Sequence, residues 1–385
     1  MMTFKPSIQQ QEAIDAIVEW YRHGSDQIFY LAGYAGTGKT TMIETAVKAC
    51  GLRYDSFQDT LYGAYMGKAA LALKKRGLNG AQTVHRLIYN PVVDKQTKKV
   101  SFVIDKESQL KYAKLLVLDE CSMIDESMAM DLLSFGTKIL VIGDPGQIRP
   151  INGEGYFTKR NPNYFLTEIH RQAENNPIIR LATMVRMGER VPFGQYGNSI
   201  KIPASEVTME QMVDSDQVIT GKNVTRMRIN NTFRHIHGFN EETYPSKSGA
   251  KLVCLRNNYM AGILNGMLFY TIDDEFKLDE KKRLFSTKLI SDDDDIYELD
   301  IANYHFDYYE KTPSEKQKRD DSWKFQRYCQ FEWGWCLTVH KSQGSQWPSI
   351  VLYDDGFGIW DRQIRSEWLY TAITRAENTL IWAVS

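Results

Sequence analysis

The sequence predicts an α/β protein built on two doubly wound parallel sheets, and three observations carry that prediction. The apolar runs Ile28-Phe29-Tyr30-Leu31, Leu115-Leu116-Val117-Leu118 and Ile139-Leu140-Val141-Ile142 are continuous rather than alternating, as strands covered on both faces by crossover helices require. Turn-forming residues bound each run, and helical patterns separate them. The rhythm resumes in the second half with Gln217-Val218-Ile219-Thr220, Lys251-Leu252-Val253-Cys254-Leu255, Ser349-Ile350-Val351-Leu352-Tyr353 and Thr379-Leu380-Ile381-Trp382. A second α/β domain is therefore expected. With 385 residues and 43% hydrophobic content the chain can bury a core in each.

The first run leads into Gly33-Tyr34-Ala35-Gly36-Thr37-Gly38-Lys39-Thr40, which opens a helix-compatible stretch from Thr41 to Cys50. Glycines at this spacing let successive N–H groups face one anion, and the following helix adds its positive end. A triphosphate is the natural guest. Lys39 is expected to reach its β- and γ-phosphates, and the Thr40 hydroxyl to ligate the bridging Mg²⁺. The second run ends in Asp119-Glu120, at the carboxyl edge of the sheet where ligands bind in open α/β folds. Asp119 is expected to hold the metal and Glu120 to orient and deprotonate the attacking water. The third run ends in Gly143-Asp144-Pro145-Gly146-Gln147-Ile148-Arg149-Pro150. Gln147 there is either a γ-phosphate sensor or a polar turn residue.

Two segments interrupt the rhythm. Residues 90–106 read as a hairpin with the polar tip Asp94-Lys95-Gln96-Thr97-Lys98-Lys99. Residues 266–331 open with the strand-like Met267-Leu268-Phe269-Tyr270-Thr271-Ile272 and carry a run of four aspartates, 292–295, followed by an aromatic, charged stretch from Tyr304 to Tyr328. The aspartates lack interleaved ligands and read as a solvated turn.

Composition narrows the setting. Net charge is −1 and the pI about 6.7, so any nucleic-acid site is a local groove rather than a global basic field. Five cysteines without a close C-x-x-C pair fit unpaired thiols in a reducing compartment and argue against zinc. A polar amino terminus and the absence of a long apolar stretch predict a cytoplasmic protein without a membrane partner.

Taken together, the motifs resemble the superfamily 1 helicases, in particular the RecD-like superfamily 1B group that includes Dda-type phage helicases. The likeness extends through Thr83-Val84-His85-Arg86-Leu87, Leu166-Thr167-Glu168 with His170-Arg171-Gln172, Val339-His340-Lys341-Ser342-Gln343-Gly344-Ser345 and Tyr370-Thr371-Ala372-Ile373-Thr374-Arg375-Ala376. It implies RecA-like motor domains at 1–88 with 107–175 and at 176–265 with 332–385. It further implies a pin hairpin at 89–106 and an SH3-like insertion at 266–331. By the same resemblance Gln10 reads adenine, Thr41 and Gly344 join the nucleotide contacts, and Arg171 and Arg375 approach the γ-phosphate when the cleft shuts. Such guanidiniums make closure depend on an intact triphosphate.

The resemblance places a DNA track across both domains, with Thr83, His85, Thr338, His340 and Lys341 as contacts. Lys68 joins them, although Ala64-Tyr65-Met66 stands where relatives carry Ala-Pro-Thr. Tyr65 is either a stacking residue or core. Phe102, in the returning arm of the hairpin, is the candidate wedge for opening duplexes, its alternative being burial beneath the hairpin. The expectation is a monomeric, ATP-dependent DNA helicase moving 5′ to 3′ on single strands and acting at duplex junctions, with replication or repair proteins as partners by analogy. A nucleotide-gated single-strand translocase that does not separate strands, an RNA helicase and an unrelated P-loop hydrolase are the competing readings.

Overall fold

A computed structural model describes residues 5–93, 100–149, 155–169, 176–240, 244–258, 261, 263–274, 276–279, 281, 283–292, 294–309 and 328–385. The expectations for Arg171, for the hairpin tip and for residues 310–327 lie outside these residues. In chain order, β1 (Ile28–Gly33), β2 (Thr60–Ala64) and β3 (Gln82–Thr83) precede an antiparallel hairpin of β4 (Tyr89–Val93) and β5 (Val100–Ile104). Then come β6 (Leu115–Asp119), β7 (Lys138–Gly143) and β8 (Tyr164–Leu166). Outside the hairpin, these strands form one wholly parallel sheet in the order β3-β2-β6-β7-β1-β8.

Alternate side chains of β1 explain why its sequence is continuously apolar. Phe29 and Leu31 pack with Ile14 and Ile17 of the helix Ile8–His23, while Ile28, Tyr30 and Ala32 join Leu132 and Ile139 on the other face. Each face of the pleat thus has its own core. The register Ala32↔Gly143 sets the ends of β1 and β7 side by side, with β6 next in line. The phosphate loop, Asp144 and Asp119 therefore leave one edge together.

The second half contributes β9 (Gly194–Tyr196), β10 (Ser199–Pro203) and β11 (Gln217–Thr220). Next come β12 (Lys251–Cys254), β13 (Leu268–Thr271), β14 (Lys277–Asp279), β15 (Leu284–Ser291), β16 (Ile296–Ala302) and β17 (Cys329–Trp333), and finally β18 (Cys336–Thr338), β19 (Trp347–Asp354) and β20 (Ala376–Val384). The second sheet runs β18-β11-β19-β20-β10-β9, parallel except for its edge strand β9. A third sheet runs β13-β12-β17-β16-β15-β14, and the pairing of β13 with β15 closes five of its strands into a small ring.

One strand changes sheets relative to expectation. The apolar run Lys251-Leu252-Val253-Cys254 predicts a strand of the second parallel sheet, yet β12 pairs antiparallel with β13 and β17 inside the ring. The reason is packing. All four residues are buried, because Leu252 and Cys254 share one cluster with Val218 of β11 and with Phe269 and Phe331 of the ring, while Val253 joins Ile219 and Leu337. A strand wedged between ring and lobe is as apolar as a central parallel strand, so hydrophobicity alone does not separate the two.

The regular helix after the phosphate loop spans Ile43–Ala49, starting two residues later than the sequence suggests. Residues 292 and 294 lie in the turn between β15 and β16, with Asp294 in the left-handed region at φ 62°. Among the described residues no helix is long and apolar enough to cross a membrane, and the five cysteines are all buried and unpaired.

Candidate nucleotide cleft and nucleic-acid face

Between the two parallel sheets lies a cavity of about 460 Å³ walled by Ala35, Gly36, Lys39 and Thr40 of the loop, by Asp119, Glu120, Asp144 and Gln147, and by Gly344, Gln346 and Arg375 of the second lobe. Gly36 and Gly38 adopt φ of 82° and 76°, conformations that side chains beyond glycine resist. Lys39 Nζ donates to the carbonyls of Gly33 at 2.7 Å and Tyr34 at 2.8 Å, and lies 4.0 Å from Asp144 Oδ2. Thr37 is buried, and its hydroxyl donates to Tyr34 O at 2.8 Å. Thr41 faces solvent.

Thr40 Oγ1 donates to Asp119 Oδ2 at 3.2 Å, so the two expected metal ligands already face each other. An alcohol and a carboxylate are hard oxygen donors of the kind Mg²⁺ takes alongside phosphate oxygens. Next to them Glu120 sits in the left-handed region at φ 51°, ψ 45°, its N–H donating to Asp119 Oδ1 at 2.9 Å. That backbone costs about 1–2 kcal/mol for a residue with a side chain, and such outliers mark functional positions. Burial pushes both carboxyls above their ordinary values. The Asp119 charge raises Glu120 further, and Arg375 and Lys39 oppose that rise. A carboxylate held above its ordinary value is a stronger base for the proton of an attacking water.

Gln147 is buried, and its Oε1 has no hydrogen-bond partner among the described residues. A buried amide oxygen in that state calls for an explanation, and a ligand or water arriving at the cleft supplies one. Arg375 is also buried, and its guanidinium donates to Thr371 O at 3.0 Å, Ser345 O at 3.2 Å and Thr374 Oγ1 at 3.2 Å. Gly344 has φ 72°, and a Cβ there would come within 3.3 Å of Ala69. Gln10 lies beside the loop rather than open to solvent. Its Oε1 accepts from Ser7 N in a capping box and its Nε2 donates to Thr37 O at 3.1 Å.

Sequence reasoning missed how the second lobe grips the first. The buried Tyr370 hydroxyl accepts from the loop's Ala35 N–H at 2.7 Å and donates to Asp144 Oδ2 at 2.8 Å. Burial pushes this phenol well above its ordinary value, with Asp144 adding to the rise, so it stays a donor at every working pH. Ile148 is tied at both ends, its N–H donating to Thr371 Oγ1 at 2.7 Å and its carbonyl accepting from Gln343 Nε2 at 3.1 Å. The Arg186 guanidinium stacks 3.6 Å above the Tyr34 ring of the loop. Tyr370 shares a sequence motif with Arg375, yet nothing local to it announces Ala35 or Asp144 as its partners.

The expected track residues fall into two groups. Thr83 and Thr338 are buried helix caps, accepting from Arg86 N at 3.3 Å and Lys341 N at 3.4 Å. His85 lies between Tyr65, Tyr89 and Phe102 at ring separations of 6.2, 5.6 and 5.9 Å, and burial lowers its pKa. Tyr65 packs against the core while meeting His85 edge-on. Phe102 is 42% exposed rather than buried beneath the hairpin. His340 meets Phe357 edge-on at 5.8 Å. The two lysines are engaged internally: Lys341 pairs with Glu332, which also holds Arg226 at 2.7 Å, and Lys68 pairs with Asp292 at 3.2 Å beneath Trp347. A phosphate contact by either lysine competes with an existing ion pair.

One lobe carries the phosphate loop and the acids, and the other supplies the opposite wall, which defines the class of two-lobed P-loop nucleotide-binding proteins. Residues 6–203 match the AAA domain family and residues 334–381 the UvrD-like helicase C-terminal domain. The chain belongs to that AAA-domain family, and its second lobe carries the UvrD-like helicase C-terminal domain. It is 25% identical to the ATP-dependent RecD2 DNA helicase of Deinococcus radiodurans over 93% of its own length and 47% of that protein's. It is 22% identical to the RecBCD enzyme subunit RecD of Buchnera aphidicola over 92% of its length and 70% of that protein's. The chain thus spans about half the length of the RecD2 relative. In fold it is similar to a Pif1 helicase from Bacteroides in complex with ADP-AlF3 and ssDNA, with TM-score 0.55, 15% identity and coverage of 99% and 93% of the two chains. The Pif1 helicase from Candida albicans gives TM-score 0.54 at 16% identity, with coverage of 100% and 95%.

Proposed function

We propose that the chain is an ATP-driven DNA helicase that moves along single strands 5′ to 3′ and parts duplexes with its β4–β5 hairpin. The observation that carries this reading is the shared cleft, in which hydrolytic groups of the first lobe meet a wall tied to them by Tyr370, Thr371 and Gln343. A change of charge at the phosphates alters what both lobes hold. In this reading Lys39 and the loop N–H groups bind the triphosphate, Thr40 and Asp119 hold Mg²⁺, Glu120 takes the proton of the attacking water, and Gln147 and Arg375 respond to the γ-phosphate. Mg²⁺ bound there supplies charge neutralisation for the leaving phosphate. Arg171 completes the set by resemblance.

Closing and opening of the cleft then shift the two lobes along a strand held by sequence-neutral contacts, for which backbone and stacking handles suffice. The exposed Phe102 supports a wedge at the junction, because an aromatic face there replaces stacking that an opening base pair loses. Direction rests only on the resemblance to the superfamily 1B group. The test is strand displacement on duplexes with 5′ or 3′ single-stranded tails, with and without ATP. The expected result is displacement of 5′-tailed substrates with ATP alone. DNA-stimulated hydrolysis without displacement of either substrate would support the translocase reading instead. Hydrolysis indifferent to oligonucleotides would sink both.

A further inference from the structure

Three loops leave the carboxyl edge of the second parallel sheet side by side, in the strand order β18-β11-β19. Thr338 ends β18 and His340 follows it, Gly221 and Asn223 follow β11, and residues 355–361 follow β19. Thr338, His340, Gly221, Asn223, Phe357 and Asp361 of these loops, with Ile148 and Arg149 of the first lobe, line a groove of about 520 Å³. The loops touch: a Cβ on Gly221 would lie 2.3 Å from Phe357 Cβ, and the Phe357 ring meets His340. The groove is therefore one surface, built where open α/β sheets receive ligands.

The third loop ends in an indole with no place in the packing. Trp360 is 97% exposed and its neighbour Ile359 60% exposed, although leaving a large apolar side chain in water forgoes about 1.5–3 kcal/mol of burial. The loop beneath is nevertheless held at both ends. Asp355 Oδ2 accepts from Thr220 Oγ1 at 3.0 Å and Lys222 N at 2.9 Å, and Asp361 caps the helix Arg362–Ile373 by accepting from Gln363 N at 2.8 Å and Ile364 N at 3.0 Å. Asp361 N–H closes the tip onto Gly358 O at 3.1 Å. A rigid loop presenting a bare ring is a preorganised stacking platform, since little ordering entropy remains to be lost on binding. A protein partner is the poorer fit. Two adjacent side chains fall well short of the roughly 800 Å² per side that a stable protein interface buries.

We propose that Trp360 stacks on an unpaired base of the single strand that passes Thr338 and His340. This rests on the nucleic-acid function proposed above and adds a base-directed contact to a face otherwise lined by backbone-directed candidates. The test measures binding of a short labelled oligo(dT) and of an abasic oligomer of equal length. Trp360→Ala should weaken oligo(dT) binding about tenfold, the effect of losing one stacked base. The abasic oligomer should bind both proteins alike, and the dependence on salt should keep its slope because no phosphate contact is lost. Trp360→Phe should restore most of the affinity. Unchanged unfolding midpoints exclude damage to the fold. Wild-type affinity in Trp360→Ala, including the case where a protein partner is lost instead, overturns the proposal, as does equal weakening on the abasic oligomer. A parent chain that binds neither oligomer sinks the functional reading rather than the stacking contact.

Discussion

Replacing Tyr370 with Phe removes one hydroxyl and keeps the ring, and the structure sets what that hydroxyl is worth. It donates to a carboxylate at 2.8 Å and accepts from a loop N–H at 2.7 Å, both across the lobe boundary. A hydrogen bond to a charged group contributes about 1.5–3 kcal/mol and a neutral one about 0.5–1.5 kcal/mol. Partial replacement by water lowers the sum, so roughly 2 kcal/mol of coupling is expected to disappear, or about thirtyfold in a rate that needs the lobes engaged. The assay is ATP hydrolysis titrated with oligo(dT), alongside thermal unfolding. Strand-stimulated kcat should fall about thirtyfold, while KM for ATP changes far less because the phosphate loop and Lys39 belong to the first lobe. Asp144→Asn combined with Tyr370→Phe should cost less than the sum of the single changes, since both cut the same bond. A stimulated kcat within twofold of the parent, or strict additivity in the double variant, would refute the claim that this hydroxyl couples the lobes.

Other outcomes follow from the same geometry. Glu120→Gln should abolish turnover and leave single-strand binding measurable. In the parent, kcat/KM should rise with pH through an inflection above the ordinary glutamate range, because burial favours the protonated carboxyl and the base works only when ionised. Phe102→Ala should keep strand-stimulated hydrolysis but slow unwinding in a displacement assay, and equal loss of both would make the residue structural. Burial alone would raise the Glu332 carboxyl, yet Lys341 and Arg226 hold it at about 2. A depressed carboxylate stabilises the fold above its unfolded value of about 4.5 and loses that contribution as pH falls towards 2. Denaturation midpoints measured across that interval should decline. Glu332→Gln should destabilise the parent by about 3–5 kcal/mol at neutral pH by leaving two cations facing an uncharged amide.

Much of the fold was legible because buried parallel strands carry a plain signature. β6 and β7 read as continuous apolar runs ending in functional residues, and both stand where expected. β2 escaped notice because Gly63 interrupts its pattern, although a Cβ there would come within 2.8 Å of Leu118 Cδ2. The same apolar signature misled at β12, where burial comes from the junction between ring and lobe. At the candidate site the loop and the acidic pair were readable, since their chemistry depends on neighbours a few positions apart. The engagement of Lys68 and Lys341 was not, because nothing local announces Asp292 or the Glu332–Arg226 pair as partners.

By itself the sequence determined the loop's glycines, the lysine and hydroxyl behind them, and the carboxylates at a strand end, because the backbone carries each from one residue to the next over a few ångströms. Only the tertiary structure decided that Tyr370 meets Asp144 and Ala35, across separations of 226 and 335 residues. It also decided that Trp360 stands bare, next in the chain to Asp361 of the groove wall. Contacts of that range depend on which sheet edges packing brings face to face. That choice is made by the whole core rather than by any local run of residues.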